Sequence, residues 1–393
     1  MKYNFDKIID RSEQHAAKYD ERFKKFGRDD IIPLWIADMD FETAQPIIDA
    51  VKKRANQGIY GYTSRPSSYY ESICQWQRRH HNWEIDPNQI SFAPGIVPAL
   101  SELVHEFTEP GDAVLIQTPV YPEFYDVIEA WKDRKVIENQ LIEENGSYTM
   151  DFSDLEEKLK RKPKLFLFCS PHNPVGRVWK KEELERMTGL CIRHEVPIVS
   201  DEIHSDLLLW GSEHIPTATI SKEVAGQTIS CISSTKSFNL AGLQAASIIF
   251  PNKEWKNRFD SFWGGLDIHR NNCFSLVAIE AACRHGDEWL QQLLVYVEEN
   301  MLFVREFLHT EIPEIKVSLP EATYLLWLDC RELMDYKNLW SFMIHEAKIG
   351  LNNGADFCRS LDGYLRMNVA CPRVVLKRAL EQLREAVQQL HMR

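Results

Sequence analysis

Residues 165–201 read LFLFCSPHNPVGRVWKKEELERMTGLCIRHEVPIVSD, and this stretch decides the fold. It opens and closes on continuously apolar runs, Leu165 to Ser170 and Pro197 to Asp201. Neither run alternates polar with apolar residues, so neither has a wet face. Strands of that kind are covered on both sides, as in parallel sheets. A helical pattern lies between them. Strand, helix, strand is the unit from which such sheets are built.

The pattern continues outward in both directions. Ala113 to Gln117, Ile229 to Ser233 and Ala245 to Phe250 are further candidate strands. Ile96 to Phe107 puts Ile96, Leu100, Leu103, Val104 and Phe107 on one helical stripe. Glu123 to Trp131 does the same with Phe124, Val127, Ile128 and Trp131. Ser153 followed by Glu156 predicts a capping box that opens a third helix. The expected fold class is α/β, a mainly parallel central sheet with helices on both faces.

The end of the chain reads differently. Long helical patterns run from about Glu288 to His309 and from Val374 to Met392, with extended pieces at Thr323 to Leu328 and Tyr364 to Asn368. A smaller α+β domain is expected there. The first 45 residues have no evident core of their own and are expected to join it. The division is then a large domain, 46–287, and a discontinuous small one, 1–45 and 288–393. A length of 393 residues favours two cores over one.

Composition removes several functions. The chain has 46 Lys+Arg against 58 Asp+Glu, a formal charge of −12. That argues against an extended nucleic-acid surface but leaves room for a local anion site. No apolar run approaches the ~18 residues of a membrane span. The opening MKYNFDKIIDRSEQ lacks the apolar core of a secretory leader, so a cytoplasmic protein with no membrane partner is expected. Nine cysteines lie between Cys74 and Cys371 without a C-x-x-C pair, which fits reduced, buried thiols. The chain has no G-x-G-x-x-G, Walker-type loop, G-x-S-x-G or H-E-x-x-H. Ser233 and Lys236 form one S-x-x-K, but the S-D-N and K-T-G partners of a serine acyl-enzyme are absent.

Lys236 follows the β-rich run TISCISS and so lies beyond the carboxyl end of a strand, where α/β sheets place their chemistry. Asp201 ends the run VPIVSD in the same way, and a buried carboxylate there needs a partner. Asn173 sits in the turn PHNPVG, and Gly95 opens the helix at Ile96. Singly, these are a solvated lysine, a turn asparagine and a turn glycine. Together they match pyridoxal phosphate. Its aldehyde needs a lysine for a Schiff base, and its ring nitrogen needs a carboxylate. Its ring oxygen needs a donor such as Asn. Its phosphate needs a helix N-terminus with hydroxyls nearby, such as Ser233.

These stretches make the chain resemble the fold-type I pyridoxal-phosphate enzymes, the aspartate aminotransferase superfamily. The resemblance extends over WIADMDF from Trp35, YGYT from Tyr60, TPVYPEF from Thr118, SPHNPVGRVW from Ser170, SDEIHSDL from Ser200, SSTKSFNLAGL from Ser233, EATYLLWLD from Glu321 and LRMNVACPR from Leu365. WIADMDF and SDEIH resemble most the MalY/PatB branch, the cystathionine and cysteine-S-conjugate β-lyases. The resemblance implies that Lys236 is the Schiff-base lysine and general base. It implies that Asp201 pairs with the ring nitrogen and that Asn173 donates to the ring oxygen. It sets His204 where many aminotransferases have tyrosine, and Tyr121 on the ring as a stacking and catalytic group. The phosphate falls to Gly95, Ile96, Val97 and Ser233, with Tyr62 arriving from a second subunit, so a homodimer is implied. Arg366, with Tyr62 beside it, would bind the substrate carboxylate. Gln244 departs from the arginine that many aminotransferases carry eight residues after the lysine. Cys358 stands where the branch commonly has glycine.

The implied activity is carbon–sulfur β-elimination on a sulfur-containing L-amino acid, giving a thiol, pyruvate and ammonia. Transamination shares every step up to the carbanion and is the alternative. A cofactor-binding regulatory protein with little turnover is a third reading, which the retained lysine, carboxylate and arginine oppose.

Overall fold

A computed structural model describes residues 2–393. Seven strands form its central sheet: β1 (Ile90–Ala93), β2 (Ala113–Thr118), β3 (Lys135–Gln140), β4 (Leu165–Cys169), β5 (Ile198–Asp201), β6 (Thr228–Ile232) and β7 (Ala246–Ile249). Their spatial order is β1-β7-β6-β5-β4-β2-β3. Strand β7 is antiparallel to both of its neighbours, and the other pairings are parallel. The two runs quoted from residues 165–201 are adjacent strands, with Cys169 opposite Asp201. Residues of β4 and β5 are buried throughout, including Ser200 and Asp201 where the apolar run of β5 ends.

Every parallel strand ends at the same edge of this sheet. That edge receives the turns carrying Tyr121, Asn173, Asp201 and Lys236. The helix Ile96–Phe107 starts there too, directly after Gly95. Its apolar stripe packs against β1, β2 and β6 in one core. A second core, on the other face, contains Phe166, Phe168, Leu184 and Ile198.

A four-stranded sheet lies apart from the first. It comprises β8 (Lys316–Val317), β9 (Leu325–Asp329), β10 (Asn352–Asn353) and β11 (Tyr364–Asn368), in the order β8-β9-β11-β10. Every pairing in it is antiparallel. Long helices Asp287–Glu311 and Arg373–His391 cover it. The N-terminal segment joins this region, since Ile32 and Pro33 pair in parallel with Ile349 and Gly350. No helix among the described residues is long and apolar enough to cross a membrane.

One expectation about a cap is corrected. The third helix begins at Phe152, and its cap is Asp151, whose carboxylate accepts from the Asp154 N–H. Ser153 lies inside the first turn, so it cannot serve as the cap. Aspartate and serine both cap well, and the chain used the earlier of the two.

Candidate active site

A cavity of about 260 Å³ opens at the strand-end edge. Gly95, Tyr121, Asn173, Asp201, His204 and Lys236 line it. They arrive from five strand ends, Asp201 and His204 sharing one.

Lys236 sits on a single helical turn, Ser234–Ser237, directly after β6. Its Nζ donates to the Ala37 carbonyl at 2.6 Å. The Tyr324 hydroxyl donates to that same carbonyl at 2.9 Å. Burial pushes the Lys236 amine down to about 8, helped by the positive charge of Arg366. The segment bearing Ala37 is pinned on both sides, because Asn368 Nδ2 donates to the Ile36 carbonyl at 2.7 Å and to the Asp38 carbonyl at 2.6 Å.

Asp201 ends β5 and is buried. The Ile203 N–H donates to its Oδ1 at 3.1 Å. Burial drives its carboxyl up to about 7, against the opposing pull of that N–H and of Lys236. His204, two residues beyond Ile203's neighbour Glu202, is buried with Nδ1 unpartnered. Burial, then Lys236 and Arg366, push its imidazole down to about 3, so the ring is neutral at physiological pH.

Arg366 projects from β11 and is buried. Its Nη1 donates to Asn173 Oδ1 at 3.1 Å. Its Nη2 donates to the Trp35 carbonyl at 3.1 Å and to Asn352 Oδ1 at 2.8 Å. The guanidinium also lies over the Phe357 ring, 4.8 Å from its centroid. Tyr121 lines the cavity, and its phenol is pushed well above its ordinary range by burial and by the neighbouring Glu123.

The helix after Gly95 has no side-chain cap, and Pro98 supplies no N–H. The bare donors of its first turn are therefore those of Ile96 and Val97. Gly95 itself is extended, with φ 177°.

Three expected residues, Ser233, Tyr62 and Arg366, do not line the cavity, although Arg366 is bonded to Asn173, which does. The Ser233 hydroxyl donates to the Ala245 carbonyl at 2.7 Å and accepts from the Thr235 N–H at 3.1 Å, as the cap of its helical turn. Thr235 lines the cavity in its place, beside Gln244. The SSTK run holds three hydroxyls, and only the helical turn decides which one faces inward. Tyr62 is 93% exposed and lies outside the cavity of its own chain, with Arg270 over its ring at 5.4 Å. Cys358 is buried at the end of its loop, and nothing in it reaches the cavity. Sequence reading also missed Ala37 and Tyr324, whose part rests on a backbone carbonyl. A larger groove of about 700 Å³, floored by Tyr148, Trp327 and Tyr364, holds none of the site residues.

A family model described as aminotransferase class I and II matches residues 29–383. The chain belongs to the class I and II aminotransferase family. Within it, the chain is 39% identical over 386 residues to the cystathionine β-lyase PatB of Bacillus subtilis, spanning 98% of this chain and 100% of that protein. Cystalysin of Treponema denticola, whose crystal structure contains pyridoxal 5′-phosphate, superposes with a TM-score of 0.96 at 36% identity, over 99% of this chain and 100% of that one. The pyridoxal-phosphate-bound C–S lyase of Staphylococcus hominis superposes with a TM-score of 0.92 at 32% identity, over 98% of each chain. The aminotransferase fold of type I is therefore the fold of this chain, and the cavity lies at the strand-end edge, where open α/β sheets hold their ligands.

Proposed function

We propose that this aminotransferase-family chain is a pyridoxal-phosphate-dependent carbon–sulfur β-lyase. It would cleave L-cystathionine or a related sulfur amino acid to a thiol, pyruvate and ammonia. The observation that carries the reading is Lys236 and Asp201 facing one cavity, in a chain 39% identical to a cystathionine β-lyase.

The residues fit that cofactor. Asp201 is a buried carboxylate with one N–H partner, and a protonated ring nitrogen would give it the cation it lacks. The unpartnered His204 Nδ1 and the Asn173 amide suit the ring oxygen. Ile96 and Val97 N–H groups, with Thr235 and Gln244, suit the phosphate. Lys236 would hold the aldehyde carbon. When bound, the cofactor supplies an aldehyde that captures the amino group and a ring that accepts the electron pair left at the α-carbon.

Arg366 binds the α-carboxylate and orients the substrate. Lys236 Nζ, freed when the substrate's amino group takes its place on the aldehyde carbon, would remove the α-proton, and its burial favours the neutral amine this needs. Tyr121, which lines the cavity, would stack on the ring, and its phenol stays protonated. The Cβ–S bond breaks with its electron pair on sulfur. Water then converts the three-carbon fragment to pyruvate and ammonia.

Transamination is the second reading, favoured by the family description itself. It differs in where the proton taken by Lys236 is returned. Incubation of the unloaded chain with pyridoxal phosphate tests the cofactor. A visible absorption band absent from Lys236→Ala is expected, and a colourless parent contradicts the reading. Thiol and pyruvate release without an added keto acid then separates lyase from aminotransferase.

The active unit in this proposal is a homodimer. Tyr62 is too exposed to serve its own site, and Ile59, Tyr60, Leu266 and Ile268 are exposed near it in sequence or on the facing loop. A division into 46–287 and a small domain of 1–45 with 288–393 also belongs to the proposal; the larger part lines the cavity, and Ala37 comes from the smaller.

A further inference from the structure

Asp206 has no part in the chemistry above, yet it is a buried carboxylate with three donors. The Ser237 hydroxyl donates to its Oδ2 at 2.7 Å. The Trp76 indole N–H donates to Oδ1 at 2.9 Å, and His81 Nε2 lies 2.8 Å from the same oxygen. Ser237 directly follows Lys236, and Asp206 lies on the turn that starts at Asp201. One carboxylate therefore ties the turn carrying Asp201 to the helix carrying Lys236.

That helix is four residues long, Ser234–Ser237. A single turn cannot hold its own geometry, because nucleation is unfavourable. Ser233 caps its start. Asp206 grips its last residue.

The other end of the Asp201 turn is anchored as firmly. Glu202 is buried, and its Oε1 accepts from the Ser200 hydroxyl at 2.8 Å and from the Thr217 N–H at 3.0 Å. Its Oε2 lies 3.0 Å from His214 Nε2. The His214 and His81 rings meet edge to face at 5.4 Å. Two buried hydrogen-bonded groups, Ser237 with Asp206 and His81, and Glu202 with His214, thus flank the turn and meet where the two histidine rings pack. The Asp206 carboxyl is held down to about 2, because His81, Ser237 and Trp76 together outweigh the effect of burial. It stays charged across the working range.

We propose that Asp206 is a positioning residue that sets the separation between Asp201 and Lys236, acting through Ser237. The proposal rests on Lys236 being the cofactor lysine. A residue that only staples the core would affect unfolding and nothing else.

Two variants separate these roles. Ser237→Ala removes one bond to Asp206 and leaves its charge with His81 and Trp76. Asp206→Asn keeps the shape and removes the charge. Each is loaded with pyridoxal phosphate, and the visible band is titrated with pH beside steady-state kinetics. Ser237→Ala is expected to shift the band's pH midpoint by about 0.5 unit or more and to lower kcat about tenfold, with KM within about twofold. Asp206→Asn should do the same more strongly. Unchanged midpoints and kcat, with only a lower Tm, would overturn the positioning role. If Asp206→Asn does not fold, Ser237→Ala decides. A colourless parent overturns the cofactor reading and this proposal together, whereas a coloured parent with unchanged variants overturns the proposal alone.

Discussion

Arg366 and Asn173 stand 193 residues apart in the chain, and a hydrogen bond of 3.1 Å joins them. Arg366 belongs to the four-stranded sheet, and Asn173 belongs to the turn after β4. The bond therefore locks the smaller sheet onto the strand-end edge of the larger one. Arg366 Nε is left without a partner. A guanidinium held this way is set for a planar, two-oxygen ligand.

Arg366→Lys keeps the charge and loses the fork. It should lower kcat/KM for an amino acid substrate by about 10²-fold, mostly through KM, while the visible cofactor band remains. Steady-state kinetics with parallel absorption spectra check this. Loss of the band along with activity would mean that Arg366 acts by holding Asn173.

Cofactor uptake by the unloaded chain needs the neutral Lys236 amine. Burial and Arg366 set that amine near 8, below its ordinary 10.5. The uptake rate should rise about tenfold per pH unit below 8 and level off above it. Arg366→Ala should move the midpoint upward, since it removes a cation that favours the neutral amine. Stopped-flow uptake across pH 6 to 10 measures it. A midpoint near an ordinary lysine value would contradict the burial argument.

Asp201→Asn should split stability from activity. The carboxyl of the unloaded chain is raised from 3.8 to about 7. In that pH window the folded state binds more protons than the unfolded state. Stability from this group is therefore full below pH 3.8 and is lost as pH rises through 7. Above pH 7 the buried charge is a cost that Asn removes. The unloaded variant should unfold at an equal or higher temperature than the unloaded parent, while kcat of the loaded variant falls by at least about 10²-fold. Thermal unfolding at pH 8 gives the first number. A less stable variant there would mean that Asp201 holds the fold together.

Tyr62→Ala should weaken cofactor retention without changing the fold of the single chain, because the side chain is 93% exposed there. A hybrid dimer offers a sharper check. Mixing Lys236→Ala with Tyr62→Ala chains lets one site of each hybrid keep both residues. Activity should return toward about a quarter of the parent's level, the statistical share of intact sites. No recovery after verified subunit exchange would remove Tyr62 from the partner's site.

The legible parts of this fold are those whose physics is local. The unbroken apolar runs of β4 and β5 and the stripe of Ile96–Phe107 declared themselves by periodicity. Strand β3, Lys135–Gln140, did not, because an edge strand carries exposed polar residues and mimics a loop. Strand β1, Ile90–Ala93, at the opposite edge of the sheet, went unread as well. In the site, Lys236, Asp201 and Asn173 were legible because strand ends fix where turn residues go. The exchange of Ser233 for Thr235 was not, since one helical turn sets which hydroxyl faces the cavity. The Arg366–Asn173 bond and the Ala37 carbonyl were out of reach, because pairings between distant segments leave no trace in spacing.

The most direct test of the central claim uses L-cystathionine as sole substrate with the loaded protein and no keto acid. Homocysteine, pyruvate and ammonia are measured together over many turnovers. The account predicts all three in equal amounts, sustained in time, and lost in Lys236→Ala. A single turnover that stops until a keto acid is added would contradict it and make the chain an aminotransferase in activity as well as in fold.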